Sequence, residues 1–150
     1  MSSEAPEEGV RRLLENARRI AVVGLSPKPH RDSNRVARYL QERGYEVFPV
    51  YPREETILGA RVHRRVQDIP GGVDLVDVFR RSEELPHVVE DALAARAPAL
   101  WFQLDCVHEE AAARAAAAGM FVVMDRCIMV DHARLLGRDW RVSSPEGHGG

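Results

Sequence analysis

Residues 20–36 combine features that could bind a phosphate group. They read as an apolar strand, a basic loop with two prolines and the start of a helix. This order presents backbone N–H groups and a helix N-terminus to an anion. Gly24 allows a sharp turn and a close approach of a ligand to the backbone. Lys28 and Arg31 add positive charge. The segment therefore predicts a phosphate-binding loop.

Two common nucleotide-binding motifs are missing from this loop. The dinucleotide fingerprint G-x-G-x-x-G is represented by its first glycine alone, and the triphosphate motif G-x-x-x-x-G-K-[ST] is absent. An NAD site also needs an acid near the end of the second strand, but the acid Glu46 begins that strand. The C-terminal end of the second strand is instead followed by Tyr51, Pro52 and Arg53. These residues suit a phosphorylated ribose better than a ribose without a phosphate.

Length and composition limit the class of protein. The 150 residues, 45% apolar and 29% charged, predict one domain that buries its own core. A net charge of −2 argues against a nucleic-acid partner. No apolar run reaches the ~20 residues of a membrane span, and the acidic N-terminus is unlike a signal peptide. We expect a cytoplasmic protein with reduced cysteines.

Strands and helices alternate along the chain. Val36, Ala37 and Leu40 fall at helical spacing, and Asp32 or Ser33 is predicted to cap that helix. The predicted helices are 10–17, 33–43, 82–95, 109–118 and 128–136, and the predicted strands are 20–23, 47–50, 61–63, 73–79, 99–102 and 120–124. Such alternation is typical of an α/β fold, with a mainly parallel sheet between two helical layers. Residues 1–8 are predicted to be flexible and 141–150 to be a disordered tail.

Four loops should meet at the carboxyl edge of this sheet, where such folds bind ligands. They follow the first, second, fourth and fifth strands, at 24–33, 51–53, 79–82 and 103–108. Three of the four carry cations: Lys28 and Arg31, Arg53, and Arg80 with Arg81. A cluster of this kind fits a ligand with several phosphates.

Five stretches carry further motifs. They are Gly24-x-Ser26-x-x-Pro29-x-Arg31-x-Ser33, Tyr39-Leu-x-x-x-Gly44-Tyr45-x-Val-x-Pro49-Val-x-Pro52, Asp68-Ile-Pro70-x-x-Val73-Asp-x-Val-Asp-Val-Phe79-Arg80, Trp101-x-Gln103, and Val122-Val-Met-Asp125-Arg126-Cys127 with Asp131-His132. Together they resemble the small stand-alone CoA-binding proteins related to the N-terminal domain of the succinyl-CoA synthetase alpha subunit. Two positions differ from that pattern: Tyr51 replaces a common asparagine, and Asp105 replaces a glycine.

The resemblance implies a single Rossmann-like, doubly wound domain over residues 9–140 that binds coenzyme A or an acyl-CoA. The implied binding residues are Gly24, Ser26, Pro27, Lys28, Arg31, Ser33, Tyr51, Pro52, Arg53, Val78, Phe79, Arg80 and Gln103. The first loop would meet the pyrophosphate, and Arg31 or Arg53 the 3′-phosphate. Val78 and Phe79 would form an apolar wall, and Arg80 would reach a phosphate.

Other residues have plainer interpretations. Trp101 is expected in the core, and Asp125–Cys127 is expected to form a structural turn with an ion pair. Cys106, Cys127, His108 and His132 lack the paired spacing of metal ligands, so we expect no metal site. An alternative role for Cys127 is a mixed disulfide with the CoA thiol.

No catalytic constellation is visible. The chain has no nucleophile-elbow motif, and it is too short to include the second domain that carries the phosphorylated histidine in the synthetases it resembles. We therefore expect a carrier, sensor or regulatory protein without catalysis. The alternatives are an NADP-dependent reductase on the same fold and a protein-interaction module with a vestigial pocket. Residues 109–118 could contribute to a homodimer face.

Overall fold

The computed structural model describes residues 5–137 and Trp140. Five parallel strands form the main sheet: β1 (Arg19–Val23), β2 (Glu46–Val50), β5 (Leu75–Val78), β6 (Ala99–Phe102) and β7 (Phe121–Met124). Their order in the sheet is β2-β1-β5-β6-β7. A separate antiparallel ribbon is made of β3 (Thr56–Ile57) and β4 (Ala60–Arg61).

Helices cover both faces of the sheet. They are α1 (Glu7–Asn16), α2 (Asp32–Glu42), α3 (Leu85–Ala94), α4 (Glu109–Ala117) and α5 (Ile128–Leu136), with short 3-10 turns at Val66–Asp68 and Ser82–Glu84. Buried residues of α1, α2 and α5 pack with Ile20 and Val22 of β1. Those of α3 and α4 pack with Ala21 and Val23. This alternation along one strand is the signature of a sheet buried on both sides, so the predicted Rossmann-like, doubly wound fold is confirmed.

The sheet order places a topological switch between β1 and β5. From β1 the chain passes to β2 on one side and later returns to β5 on the other. The loops that leave β1 and β5 therefore diverge to opposite faces and leave a crevice at their carboxyl ends. In the described ranges 5–137 and 140, no helix is both long and apolar enough to span a bilayer.

Three predicted elements differ from the observed ones. The first helix begins at Glu7, because Glu7 and Glu8 favour the helix N-terminus electrostatically. The expected strand 61–63 is mostly replaced by the β3–β4 ribbon, with a single parallel bridge from Val50 to His63. The helix predicted over 82–95 starts as a 3-10 turn. Of the terminal segments, residues 1–4 and 141–150 lie outside the described residues.

Candidate functional site

All of the predicted binding residues lie at one edge of the sheet. They occupy the ends of β1, β2, β5 and β6 or the segments that follow those strands, and these four strands are neighbours in the sheet. The switch between β1 and β5 lies at the centre of this edge. The structure thus brings together four loops that are separated by up to 79 positions, from Gly24 to Gln103, in the sequence.

Gly24 forms the turn that leaves β1. Its φ angle is +84°, and its N–H donates to the Val50 carbonyl at 2.9 Å. A Cβ at this position would lie 2.1 Å from the carbonyl oxygen of Phe79. The predicted sharp turn is confirmed, but close packing against the end of β5 requires the glycine, where the sequence had suggested room for a ligand.

The first loop is held in shape by side chains. The Ser26 N–H donates to Ser33 Oγ at 3.0 Å, and the Lys28 N–H donates to Ser26 Oγ at 3.1 Å. Asn34 Nδ2 donates to the Ser26 carbonyl at 2.9 Å. Because these bonds tie the loop to α2, its backbone is ordered before any ligand arrives.

The predicted cap of α2 is wrong. The N-cap residue is Arg31, which makes no capping bond from its side chain. Ser33 is 5% exposed and its hydroxyl accepts from the loop, and Asp32 pairs with Arg35 at 2.6 Å. The first N–H groups of α2 have no acceptor within the helix, as at every helix start, so the backbone there can receive an anion.

Asn34 and Arg38 support the loop in a way that the sequence analysis missed. Arg38 Nη2 donates to the Pro29 carbonyl at 2.9 Å, and Arg38 Nε donates to Asn34 Oδ1 at 2.9 Å. The available signal was their spacing: residues 34 and 38 lie one helical turn apart, so they share the face that looks toward the loop.

Three cations at this edge are exposed. Lys28 and Arg31 lie on the first loop, and Arg53 follows β2. None of the three forms an ion pair with another residue in the described part of the chain. Their charges are therefore free to meet an anionic ligand.

Arg64 holds the loop that carries Arg53. Its Nη1 donates to the carbonyls of Tyr51, Arg53 and Glu54 at 3.1, 3.0 and 2.9 Å. Glu54 has a φ of +71°, and the bond from Arg64 supports this left-handed turn. Sequence reasoning missed Arg64 because it is 11 positions beyond Arg53 and has no motif.

The residues at the end of β5 and just after it have surroundings that differ from those the sequence predicted. Val78 is fully buried in the α3–α4 core, so it cannot form a ligand wall. Phe79 is half-buried against the opposite core. Arg80 donates from Nε to Glu84 Oε1 at 2.6 Å, and its Nη2 contacts the same oxygen. The bond from Arg80 lowers the pKa of Glu84, so the carboxylate keeps its charge beside the cation.

A cavity of about 310 Å³ opens beside the ends of β1 and β2, on the α3 side. Valine side chains from β1, β2 and α3 give it an apolar lining, and charged groups from Arg64, Arg80 and Glu84 surround them. The full lining is Val23, Val50, Arg64, Val66, Arg80, Glu84, His87, Val88 and Asp91. An apolar cavity with a few convergent polar groups is typical of a small-molecule site.

Gln103 directly follows β6 and bonds to a buried acid. Its Nε2 donates to Asp77 Oδ1 at 2.5 Å, and both residues are at most 3% exposed. Burial raises the pKa of Asp77 to about 7, although the bond from Gln103 acts in the opposite direction. Asp77 lies in the middle of β5, and the sequence analysis did not select it.

The predicted structural turn at Asp125–Cys127 is confirmed. Asp125 Oδ1 accepts from the Asp105 N–H at 2.8 Å, and Arg126 Nε donates to Asp131 Oδ2 at 2.7 Å. Trp101 is fully buried, as expected, and donates to the Arg126 carbonyl at 2.8 Å. Asp105 has a φ of +68°, a conformation that explains why glycine is common there in the family pattern.

The two cysteines lie on different sides of the sheet. Cys106 belongs to the α3–α4 core and donates from Sγ to the Arg80 carbonyl at 3.1 Å, and burial raises the pKa of its thiol. Cys127 packs against the other core, where His132 bonds to the Tyr39 hydroxyl. Within residues 5–137 and 140, no three His, Cys, Asp or Glu side chains are grouped to hold a metal ion.

Known proteins share this sequence and fold. The chain matches the CoA binding domain family over residues 18–133. It is 44% identical over 124 residues to YneT, an uncharacterized protein of Bacillus subtilis, covering 83% of this chain and 92% of YneT. A hypothetical protein from Pyrococcus horikoshii has a solved structure with a TM-score of 0.85 and 40% identity, covering 91% of this chain and 100% of that one.

A more distant relative is an enzyme subunit. The chain is 43% identical over 61 residues to the alpha subunit of the ADP-forming acetate–CoA ligase II of Pyrococcus furiosus. This match covers 40% of the chain and 13% of that subunit. The family match covers most of the chain, and two relatives match it over nearly their full length. This protein therefore belongs to the CoA-binding domain family.

Proposed function

We propose that this protein binds coenzyme A or an acyl-CoA at the carboxyl edge of β2, β1, β5 and β6, and that it carries, senses or presents this ligand without catalysis. The observation that carries the proposal is a set of three exposed cations, Lys28, Arg31 and Arg53, around a preordered loop at the switch point. None of them has an ion-pair partner among the residues that the structure describes. Membership of a CoA-binding family supports the same ligand.

CoA carries a pyrophosphate and a 3′-phosphate, and the exposed cations at this edge can serve both. Its pyrophosphate would lie against the first loop, where Lys28 and the N-terminus of α2 supply positive charge. Its 3′-phosphate would be met by Arg31 or Arg53, which can form bidentate bonds to phosphate oxygens. The adenine ring would enter the cavity of about 310 Å³ next to Val50, with His87 at its rim.

The proposed absence of catalysis is supported by the chemistry of this edge. The Cys106 thiol is a poor nucleophile because burial raises its pKa. Asp77 is sealed from solvent and bonded to Gln103. If the protein is a carrier or sensor, acetyl-CoA incubated with it for hours should release free thiol no faster than in buffer. Release that scales with protein concentration would make the protein an enzyme.

A paired substitution tests the binding site. The double variant Lys28→Ala/Arg31→Ala should lose roughly tenfold or more in CoA affinity by calorimetric titration, because charged hydrogen bonds are worth about 1.5–3 kcal/mol each. Arg12→Ala is the matched control, since Arg12 is an exposed cation on α1 that pairs with Glu8. Equal affinity for the double variant and the control would rule out the first loop as the phosphate site.

An NADP-dependent reductase is the second candidate. Arg53 favours it, because an exposed arginine after β2 could also bind the 2′-phosphate of NADP. The same calorimetric titration with NADP distinguishes the two ligands, since a CoA site should bind NADP more weakly than CoA.

A further inference from the structure

Asp77 is sealed inside the sheet, beneath the proposed site. It is 0% exposed in the central strand β5. Its register neighbours are Val22 on β1 and Trp101 on β6, both fully buried. These neighbours belong to the core under α1, α2 and α5, so the Asp77 side chain points to that side of the sheet.

The hydrogen bonds of Asp77 are incomplete. Oδ1 accepts from Gln103 Nε2 at 2.5 Å, whereas Oδ2 is buried and has no partner among residues 5–137 and 140. An ionised carboxylate with an unsatisfied buried oxygen is costly. A protonated Asp77 carries no charge, and its O–H can donate a hydrogen bond.

The Gln103 side chain can form a hydrogen bond with Asp77 in both its ionised and its protonated state. A side-chain amide has a donor end, Nε2, and an acceptor end, Oε1, and its terminal torsion is roughly two-fold and soft. The carboxylate accepts from Nε2, which turns Oε1 away from Asp77. The carboxylic acid donates its O–H to Oε1 once the amide has turned by 180°, which turns Nε2 away. A proton that binds at the Asp77 oxygen facing Gln103 therefore exchanges the two ends of the amide.

Gln103 lies at the carboxyl edge of the sheet and is 3% exposed. It directly follows β6, and its N–H donates to the Val78 carbonyl at the end of β5. The next two residues, Leu104 and Asp105, are exposed. We propose that Asp77 sets which end of the Gln103 amide faces the ligand crevice, so that this position offers an acceptor or a donor to the amide groups of the pantetheine arm. The inference rests on the proposed CoA function.

Other titratable groups on this side of the sheet already have partners. Asp131 on α5 pairs with Arg126 and Arg134, and His132 on α5 bonds to the Tyr39 hydroxyl of α2. Among the described residues, the other buried titratable groups there include Tyr45, which donates to the Leu14 carbonyl, and Arg43, which pairs with Glu42. Cys106, on the opposite side, keeps its proton because burial raises its pKa.

Burial raises the pKa of Asp77 to about 7, so both orientations of the amide are populated near neutral pH. The first test uses the free protein. NMR should follow the Asp77 carboxyl carbon and the Gln103 side-chain nitrogen from pH 5.5 to 8.5. Both signals should titrate with one common midpoint. A Gln103 signal that stays constant while Asp77 titrates would overturn the proposal without any ligand or variant.

The second test measures CoA affinity over the same pH range. Affinity should change by roughly two- to tenfold in the wild type, the range of one neutral hydrogen bond. In Asp77→Asn this step should disappear, because the new side chain does not titrate. An identical pH profile in the variant would overturn the assignment to Asp77. If CoA binds at no pH, the proposed function fails, while the titration of the free protein still decides how the amide behaves.

Discussion

Arg80 Nε donates a 2.6 Å hydrogen bond to Glu84 Oε1, so the cation that follows β5 at the switch point already has an anionic partner. The two side chains are 36% and 28% exposed, and both line the cavity beside β1. A phosphate that approached Arg80 would have to compete with Glu84. The carboxylate therefore limits the contribution of Arg80 to binding, in contrast to the unpaired Lys28, Arg31 and Arg53.

Removing the charge of Glu84 should strengthen CoA binding. In Glu84→Gln, the guanidinium of Arg80 loses its anionic partner and becomes available to a phosphate. A partly exposed ion pair is worth about 0.5–1 kcal/mol, so affinity should rise by roughly two- to fivefold in calorimetric titrations at low salt. Glu83→Gln is the control, because Glu83 contacts Arg81 instead. Unchanged or weaker binding in Glu84→Gln would mean that the carboxylate orients Arg80 for the ligand.

Gly24→Ala should destabilise the fold strongly. The new Cβ would lie 2.1 Å from the Phe79 carbonyl oxygen and would also require a φ of +84°. We expect a loss of roughly 3–5 kcal/mol in the free energy of unfolding by urea denaturation. Gly59→Ala is the matched control, with a φ of +77° and no atom of the described residues within 4 Å of its Cβ position. Its cost should be about 1–2 kcal/mol. Similar losses in both variants would refute the packing argument.

Arg64→Gln should loosen the loop that carries Arg53 while leaving the fold intact. Three backbone carbonyls lose their donor, so hydrogen exchange at residues 53–55 should accelerate and CoA affinity should fall. Arg65→Gln removes a neighbouring exposed cation that pairs with Asp91, and it should change neither property. If exchange in the loop is equal in both variants, Arg64 does not hold it.

Asp77 should make the stability of the protein fall as pH rises. The carboxyl has a pKa of 3.8 when unfolded and about 7 when buried. Between these values the folded chain keeps a proton that the unfolded chain has released, so increasing pH favours unfolding. Each tenfold difference in proton affinity is worth about 1.4 kcal/mol, which gives this group an upper limit of about 4 kcal/mol between pH 4 and pH 7.

Asp77→Asn removes this dependence. Relative to the wild type, its free energy of unfolding should rise progressively from pH 4 to pH 7 and then level off, as measured by urea denaturation. Asp105→Asn is the control, because Asp105 is exposed and asparagine readily adopts the left-handed conformation at this position. Its stability should follow the wild-type curve. If the difference in the free energy of unfolding between Asp77→Asn and the wild type is constant with pH, the raised pKa of Asp77 is contradicted.

The sequence predicted the fold well because its signals are local. Apolar runs, glycines after helices and alternation of strand and helix fix the elements, and the parallel sheet then brings four loops to one edge. The β3–β4 ribbon was missed because two-residue strands are too short for a period to show. Its turn at Leu58 and Gly59, both with positive φ, depends on local backbone geometry.

The candidate site was predicted less completely, since partners depend on distances through space. Ser33 was expected to cap a helix, and Arg80 was expected to bind phosphate, but each has a nearer partner in the fold. Asp77 lies within one of the five motif stretches but received no role from the sequence, because its hydrogen-bond partner Gln103 is 26 positions away along the chain. Such pairs become visible once strand order and register are known.

The proposed CoA site is tested most directly by a calorimetric titration of the purified protein with CoA, 3′-dephospho-CoA, NADP and NAD. We expect CoA to bind best and loss of the 3′-phosphate to weaken binding by roughly tenfold or more, because charged hydrogen bonds to an arginine are lost. A preference for NADP, or no binding of CoA at all, would contradict the proposed CoA site.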